Sequence, residues 1–251
     1  AQRAFAALLA TLFGFLSMIS SVSAQSVGDD ITTLEEVLVT AERREESIQD
    51  IAGVVQSLKG DDLRDLGITE LRQLQLAVSG LSIANQEGNV EIYIRGVGSA
   101  NNTELGDPAA APHLNGIYIP RPRGLGSMFY DLDRVEVNKG PQGTLYGRNA
   151  LAGTLNLITA QPTFDEVTGY AQTEVANRSS WAAEGALNIP LNDSNAVRIA
   201  GFYRDRDYGF NNVLPTGNDH AGLQEDSGVR YSFLTEVSDS PCHFVTAHGG
   251  R

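Results

Sequence analysis

Alternation of apolar and polar residues is the clearest pattern in the middle of the chain, across residues 134–159. Val135 and Val137 alternate with polar residues, and Leu155 and Leu157 belong to a second run of the same kind. A period of two residues predicts β-strands rather than a helix. Because several glycines give the intervening backbone unusual freedom, the segment predicts a strand, a tight turn and a second strand.

Four more alternating runs follow residue 161, and their charged residues share one pattern of positions. Every charged side chain in them occupies an even-numbered position, whereas large apolar side chains such as Trp181, Leu187 and Tyr231 occupy odd positions. Each run therefore predicts a strand with one polar and one apolar face. The runs are residues 169–177, 181–191, 196–204 and 228–237.

Two classes of protein contain such two-faced strands. A soluble antiparallel sheet buries the apolar face in a core, and a transmembrane barrel turns it towards lipid with strands of about ten residues. The connections favour the barrel, because a short turn at 192–195 precedes a long segment at 205–227. Four strands cannot close a barrel, since plugged outer-membrane transporters use about 22. The tail, residues 241–251, lacks clean alternation, so we expect a truncated N-terminal part of a longer protein.

The region before residue 120 mixes helical and strand patterns and predicts an α+β fold. Asp61 and Thr69 are of the residue types that begin helices, and apolar positions at helical spacing follow them. Gly67 and Gly80 supply the ends of these helices. The predicted helices are 61–66 and 69–77, and the predicted strands are 90–94 and 114–119.

The N-terminus has the pattern of a secretory signal. Arg3 precedes a charge-free apolar run at 5–19, and small residues ending at Ala24 supply a cleavage site. A membrane anchor is the alternative, but the run is shorter than the roughly 20 residues of a spanning helix. We expect cleavage after Ala24, and since the chain opens on Ala1 without methionine, we expect its natural first residues to be missing.

Charge and cysteine content narrow the possible partners. The formal net charge is −13, and such an acidic protein repels phosphate backbones, so nucleic acid is not an expected partner. Cys242 is the only cysteine, so export of this chain does not bring an internal disulfide.

A nucleotide-binding loop is the main competing interpretation of the glycines between residues 134 and 159. Lys139 and Arg148 lie beside them, as basic residues lie beside phosphate loops. A P-loop, however, needs four residues between its glycines followed by Gly-Lys-Ser/Thr, and a dinucleotide turn needs G-x-G-x-x-G before a helix. Neither spacing occurs, and the run that follows is strand-like, which disfavours phosphate binding.

Three segments resemble, in order, the signatures of the plug domain of TonB-dependent outer-membrane receptors. They are EIYIRGVG at 91–98, HLNGIYIPRPRG at 113–124, where Asn115 replaces a common acid, and the segment at 134–159. The resemblance implies an α+β plug domain followed by antiparallel transmembrane β-barrel strands, with the barrel incomplete in this chain. The residues that carry the plug motifs are Gly96, Gly116, Gly140, Pro141, Gly143, Tyr146, Gly147 and Gly153.

The resemblance also divides the chain and gives it a function. It implies a signal peptide at 1–24, a leader at 25–50, a plug at 51–161 and the first barrel strands at 162–251. It implies active transport across the cell outer membrane, commonly of a ferric siderophore and driven by proton-motive force. A receptor of the same architecture for cobalamin or an oligosaccharide is the alternative, and a secreted soluble β-rich binding protein is a rival from another class.

The leader contains a segment similar to a TonB box, the extended stretch that pairs with the periplasmic energy-coupling protein TonB. Added strands bind through main-chain hydrogen bonds and ask little of side chains, and the charged residues 41–50 that follow predict an exposed segment. A short edge strand is the alternative. The predicted TonB-binding residues are Leu34, Glu35, Glu36, Val37, Leu38, Val39 and Thr40.

Two basic residues resemble part of the family's charged lock between plug and barrel. Arg95 and Lys139 occupy the matching positions, and glutamates of later barrel strands would be their partners. A buried arginine favours paired carboxylate contacts. A solvated surface charge is the alternative for both.

The long polar stretch 99–112 is the best candidate for ligand contact, because loops on a rigid scaffold often carry binding. A plain connecting loop is an equal alternative. The candidate ligand-binding residues are Asn101, Asn102, Glu104, Asp107, Arg121 and Arg123.

Catalytic and metal chemistry have little support in the sequence. The four histidines, His113, His220, His243 and His248, are scattered, whereas a metal site needs clustered ligands. No G-x-S-x-G nucleophile motif is present. We therefore expect no enzymatic activity, no cofactor and no metal. The expected partners are TonB, an extracellular small molecule that is an iron complex, and outer-membrane lipid.

Overall fold

The computed structural model describes residues 38–39, 46–47, 51, 53–86, 89–99, 107–120, 124–177, 180–207, 223–236 and 243–250. The strands are β1 Leu38–Val39, β2 Glu46–Ser47, β3 Val55–Lys59, β4 Leu81–Gln86, β5 Asn89–Ile94, β6 Ala110–Leu114, β7 Ile117–Tyr118, β8 Leu132–Lys139, β9 Gly153–Thr159, β10 Thr168–Val175, β11 Trp181–Asn192, β12 Asn195–Asp207, β13 Leu223–Thr235 and β14 His243–Gly250. The helices are α1 Gly60–Asp65, α2 Leu74–Ala77 and α3 Gly143–Tyr146, with 3-10 turns at Leu71–Gln73 and Leu125–Met128.

A five-stranded sheet, in the order β3-β8-β9-β6-β7, forms the centre of the α+β region, residues 51–161. The predicted runs at 134–159 form β8 and β9, which pair antiparallel so that Val135 lies opposite Leu157 and Val137 opposite Leu155. All four side chains are buried. Strand β6 joins the other edge of β9 in parallel, so the alternation correctly predicted the strands that support the core.

The connection between β8 and β9 is not the tight turn that the glycines predicted. It contains the helical turn α3, which Gly143 begins without a positive φ. Gly140, Gly147 and Gly153 have positive φ, and at Gly153, with φ at 141°, a second constraint applies. A Cβ there would lie 2.0 Å from the carbonyl oxygen of Asn138. Glycine thus allows β9 to begin in contact with the end of β8.

The predicted strand at 114–119 is a hairpin. Asn115 and Gly116 have φ values of 50° and 78° and turn the chain between β6 and β7. Two successive residues with positive φ form the Asn-Gly turn that matches the twist of a hairpin. The apolar pattern of this segment does not report the turn, which depends on the backbone conformation of the Asn-Gly pair. Strand β6 also begins at Ala110, so the end of the polar stretch 99–112 lies in the sheet rather than in a loop.

Apolar side chains from the helical segments close one face of the core. The first predicted helix is α1, and the second is shorter than predicted, because the chain forms a 3-10 turn before α2. Glu70 and Gln73 form a capping box there, so Glu70, and not Thr69, caps this turn. Leu71 and Leu74 are buried against the sheet.

The five strands β10 to β14 form a second antiparallel sheet, here called the strand sheet, in which each strand pairs with the next along the chain. Four of them extend over the predicted runs. The prediction of a tail without regular structure is wrong, because His243–Gly250 pairs with β13 as a fifth strand. Main-chain pairing does not require side-chain alternation, which explains the error. No helix in the described part of the chain is both long and apolar enough to cross a membrane.

The two faces of the strand sheet differ as predicted. Side chains at even positions, such as Ala186, Ala200 and Arg230, are buried against the α+β region. Large apolar side chains at odd positions, such as Leu187 and Tyr231, are 45% and 57% exposed. The charge rule in the sequence therefore identified the face that packs inward.

Candidate functional site: the contact between the α+β region and the strand sheet

Residues 129–131, which enter β8, bring the α+β region onto the even face of the strand sheet. The ring of Tyr130 packs against Ala186 and Ala200, whose small side chains leave room for it, and against Phe202. The centroids of the Tyr130 and Phe202 rings are 4.6 Å apart. This cluster is small, so apolar contact supplies only part of the attachment.

Asp131 is the centre of a buried charge cluster at this contact. Arg198 donates from Nε to Oδ2 of Asp131 at 3.0 Å and from a terminal nitrogen to Oδ1. Arg230 donates to Oδ2 at 2.8 Å. Asp131 and Arg230 are only 2% and 1% exposed. A guanidinium that holds both oxygens of a carboxylate fixes orientation as well as charge, so the two arginines set the position of Asp131.

The arginines also hold the backbone of residues 129–131. Arg230 donates to the carbonyl oxygens of Tyr130 and Asp131, at 3.2 and 2.7 Å. Arg204 donates to the carbonyl oxygen of Phe129 at 2.7 Å. Asp131 has a φ of 46°, a conformation that residues other than glycine adopt at a cost. These hydrogen bonds stabilise it.

Glu184 of β11 completes the cluster from the sheet side. It accepts hydrogen bonds from the backbone N–H of Asp131 at 3.0 Å and from the Tyr170 hydroxyl at 2.7 Å. Arg204 lies 3.5 Å from its second oxygen. The sheet therefore contributes three arginines and one glutamate around Asp131.

A second polar contact joins the start of the 3-10 turn to β10 and β12. Arg206 lies 2.7 Å from a carboxylate oxygen of Glu70 and donates to Glu174 at 2.9 Å. It also donates to the Thr69 hydroxyl at 3.2 Å. A cavity of about 280 Å³ adjoins this contact, with Thr69, Glu174 and Arg204 among its lining residues.

The two predicted lock residues lie near each other in the α+β region. Arg95 is exposed, with φ at 53°, and its backbone N–H donates to Gly80. Lys139 is half-buried, and its Nζ donates to the side-chain oxygen of Gln56 at 2.8 Å. Burial lowers the pKa of Lys139, and the positive charge of Arg95 lowers it further.

Only Leu38 and Val39 of the predicted TonB-binding segment lie within the described residues. They form β1, which pairs with Glu46–Ser47, and Val39 is fully buried. The prediction of an exposed segment is therefore wrong at Val39, whose side chain is buried where β1 pairs with β2. Leu34, Glu35, Glu36, Val37 and Thr40 lie outside the described residues.

Of the predicted ligand-binding residues, only Asp107 lies within the described part. It is exposed and accepts a hydrogen bond from the side chain of Asn149 at 3.1 Å. Asn149 also donates to the Tyr118 hydroxyl at 2.8 Å, so Asp107 is connected to the hairpin. Asn101, Asn102, Glu104, Arg121 and Arg123 lie outside the described residues.

Within the described residues, no group of three or more His, Cys, Asp or Glu side chains could hold a metal ion. His113 is buried beside the rings of Tyr118 and Tyr146, and its Nδ1 lies 3.1 Å from the carbonyl oxygen of Ala111. His220 and the side chains of His243 and His248 fall outside what the structure describes.

Sequence reasoning missed Asp131 and its partners. The signal was present in part, since Arg198 and Arg230 stood on the predicted inward face, and a buried arginine needs an acceptor. Nothing in the spacing indicated which of the chain's 31 acidic residues would provide it.

Residues 47–154 match the model of the TonB-dependent Receptor Plug Domain family. The chain is 30% identical over 212 residues to the pesticin receptor of Yersinia enterocolitica, and the match covers 83% of this chain and 30% of the receptor. It is 32% identical over 187 residues to the catecholate siderophore receptor Fiu of Escherichia coli, covering 70% of this chain and 21% of Fiu.

Solved structures agree with these similarities. The ferric yersiniabactin uptake receptor FyuA from Yersinia pestis superposes with a TM-score of 0.71 at 26% identity, covering 79% of this chain and 31% of FyuA. The pyoverdine receptor FpvA from Pseudomonas aeruginosa shares the fold, with a TM-score of 0.69 at 19% identity, covering 93% of this chain and 32% of FpvA. The chain thus spans less than a third of the length of these relatives.

These matches favour the barrel interpretation of the two-faced strands over the soluble sandwich. The α+β region is a plug domain, and the strand sheet is part of a barrel wall that is not closed within this chain. The chain belongs to the TonB-dependent receptors of the outer membrane, of which it comprises the plug and part of the barrel.

Proposed function

We propose that this chain forms the plug and the first wall strands of an outer-membrane receptor that imports a ferric siderophore. Transport is driven by proton-motive force through TonB. One observation carries the proposal: the plug is attached to the wall by hydrogen bonds and ion pairs centred on Asp131, Arg198 and Arg230. Polar contacts of this kind can be exchanged for contacts with water, so the plug can move without leaving an apolar wall exposed.

The similarity to siderophore receptors supports the choice of cargo. The relatives are named for catecholate siderophores, ferric yersiniabactin and pyoverdine. The proposed cargo is accordingly an iron complex. The role is that of a transporter, and no catalytic step is part of it.

The proposed division of the chain follows from the sequence. Residues 1–24 are a signal peptide, 25–50 a leader with the TonB box, 51–161 the plug and 162–251 the wall strands. The well-packed sheet of the plug, with Leu155 and Val137 at its centre, supports its role as a unit.

The TonB box is proposed at residues 34–40. Pairing of Leu38–Val39 with Glu46–Ser47 involves two residues on each side. A typical hydrogen bond contributes about 0.5–1.5 kcal/mol net, so exchange for pairing with a strand of TonB loses few hydrogen bonds, and the main cost is the exposure of Val39. The extended conformation of Leu38–Val39 also supports the proposal, because β-addition needs an extended chain.

The lock and ligand residues complete the proposal. Arg95 and Lys139 would form ion pairs with glutamates of later barrel strands. Lys139 has a lowered pKa, and a carboxylate nearby would raise it again by favouring the charged form. Asn101, Asn102, Glu104, Asp107, Arg121 and Arg123 are proposed to contact the cargo from the outer side of the plug.

A proline in the TonB box tests the proposal. Leu38→Pro in the complete receptor removes a main-chain donor and should abolish energised uptake of ⁵⁵Fe while surface binding remains. The probes are ⁵⁵Fe-loaded yersiniabactin, a catecholate siderophore and pyoverdine, each supplied to cells that produce the receptor. Asp30→Pro, in the same leader but outside the box, is the matched control and should transport normally. Full uptake by Leu38→Pro would contradict the proposal.

A further inference from the structure

Two arginines on adjacent wall strands form a clamp around one carboxylate. Arg198 lies on β12 opposite Ser232, and Arg230 lies on β13 opposite Ala200, so the two are diagonal neighbours on the same face. Both point their guanidinium groups at Asp131. We call Arg198 and Arg230 the arginine clamp.

The occupant of the arginine clamp belongs to the plug and not to the wall. Both oxygens of Asp131 are held, one by Arg198 alone and the other by both arginines. Asp131 therefore shows what the site accepts, namely a carboxylate in paired contact with two guanidinium groups. Such contacts are charge-assisted and geometrically specific.

Displacement of the plug would empty the arginine clamp. The hydrogen bonds described for Arg230 are all accepted by Tyr130 and Asp131, and its guanidinium stacks on the Tyr130 ring at 4.6 Å. Those described for Arg198 are accepted by Asp131. Each of these partners leaves with the plug.

The acids of the wall lie beside other arginines. Glu184 lies beside Arg204, Glu174 pairs with Arg206, and Asp226 is in register with Arg204. The carboxylate in contact with both Arg198 and Arg230 is that of Asp131, which belongs to the plug. Positively charged groups held close together attract anions.

We propose that the arginine clamp is a second binding site, for a carboxylate group of the cargo, which becomes available when the plug withdraws Asp131. The cargo's carboxylate replaces the plug's carboxylate on Arg198 and Arg230 during passage. This inference rests on the proposed function for its role in transport. The binding property itself is a feature of the wall and can be measured without transport.

Chemical rescue by a small carboxylate tests the clamp. Asp131→Ala in the complete purified receptor empties the clamp without touching the arginines. Potassium acetate, compared with potassium chloride at equal ionic strength, should raise the thermal unfolding midpoint of this variant by at least about 2 °C, because ligands that bind the native state stabilise it. The wild-type receptor should show no such difference, because Asp131 fills the clamp.

Two variants make the result specific. Asp131→Ala combined with Arg198→Gln and Arg230→Gln should lose the response to acetate. Asp133→Ala, which removes a half-exposed carboxylate two residues away, should behave as wild type. No acetate effect in Asp131→Ala, or an equal effect in the triple variant, would overturn the proposal.

A second variant guards against a folding defect. If Asp131→Ala does not assemble, Asp131→Gly also removes the carboxylate and suits the positive φ of residue 131, and broadening of the acetate methyl NMR signal by the purified receptor replaces the thermal measurement. Broadening that Arg198→Gln removes supports the clamp, and no broadening contradicts it. Because these measurements need neither TonB nor energy, a negative result leaves the Leu38→Pro experiment intact, and failure of that experiment leaves the clamp intact.

Discussion

The core of the plug and its contact with the wall are stabilised by different kinds of interaction. In the core, Val135, Val137, Leu155 and Leu157 are buried among apolar neighbours. At the wall, the contact is centred on the charged side chains of Asp131, Arg198 and Arg230, and the apolar cluster around Tyr130 is small. The plug is thus apolar where it must stay folded and charged where it meets the barrel.

This difference indicates how the plug can be moved and remain folded. Apolar burial is lost whenever water enters, at about 25 cal/mol for each Å² exposed. An ion pair separated into water regains solvation for both partners. A pull on the plug should therefore separate the plug from the wall before the sheet of the plug opens.

Removal of the central carboxylate should have the largest effect. Asp131→Ala leaves Arg198 and Arg230 without the carboxylate that neutralises their charge, although Arg230 keeps its backbone carbonyl acceptors, and loss of one partner of a buried pair costs about 3–5 kcal/mol. In urea unfolding of the Asp131→Ala receptor in detergent, the plug should detach at a lower urea concentration than in wild type. The control, Asp133→Ala, removes a carboxylate that is half exposed and should reduce stability by less than about 1 kcal/mol. Equal effects of the two variants would mean that charge does not dominate this contact.

Shortening a core side chain of the plug should destabilise the receptor as much as Asp131→Ala or less. The affected transition should be the unfolding of the plug and not its detachment. Leu155→Ala removes a fully buried side chain from the central strand and should cost about 2–5 kcal/mol. The loss of stability should appear in the unfolding of the plug sheet, measured by far-UV circular dichroism. Detachment of the plug from the wall should be unchanged. Leu151→Ala is the control, because that side chain is 67% exposed. A shift of the detachment step alone would contradict separate roles for core and contact.

A charge on the outer face of the wall tests its contact with lipid. Leu187→Arg places a cation at an odd, exposed position near the middle of β11, and it should reduce folding stability in lipid vesicles by about 2–4 kcal/mol. Leu191→Arg, on the same face but beside the turn, should cost about 0–1 kcal/mol. If both variants fold equally well, this face does not contact hydrocarbon.

The smallest expected effect is the pH dependence contributed by Lys139. Because its folded-state pKa lies below the usual 10.5, the charged form is disfavoured in the folded plug, and this cost is present at neutral pH. Lys139→Gln should therefore stabilise the plug slightly at pH 7, and the advantage should fade as the pH rises through the folded-state pKa towards 10.5. Thermal unfolding at a series of pH values measures this.

The same measurement in a complete receptor tests the proposed lock. A glutamate from a later strand would raise the pKa of Lys139 and reverse the sign of the effect, so that Lys139→Gln destabilises. An unchanged sign would count against a lock at this residue.

Local pattern determined much of this molecule. The period of two residues identified β8, β9 and most of the wall strands, because a strand places alternate side chains on opposite faces wherever it lies. The even positions of the charges identified the inward face for the same reason. Pattern failed at Asn115–Gly116 and at β14, where backbone conformation and main-chain pairing, not alternation, make the structure.

Tertiary structure alone decided which groups meet across the contact. Asp131 and Arg230 are separated by 99 residues, and their pairing depends on how residues 129–131 enter β8 and on the register between β12 and β13. An ion pair requires proximity in space, and no periodicity in sequence encodes the distance between two independent sheets. The sequence by itself therefore determined that the inner face of the wall would carry arginines, and only the packing of the plug determined that Asp131 would be the carboxylate they hold.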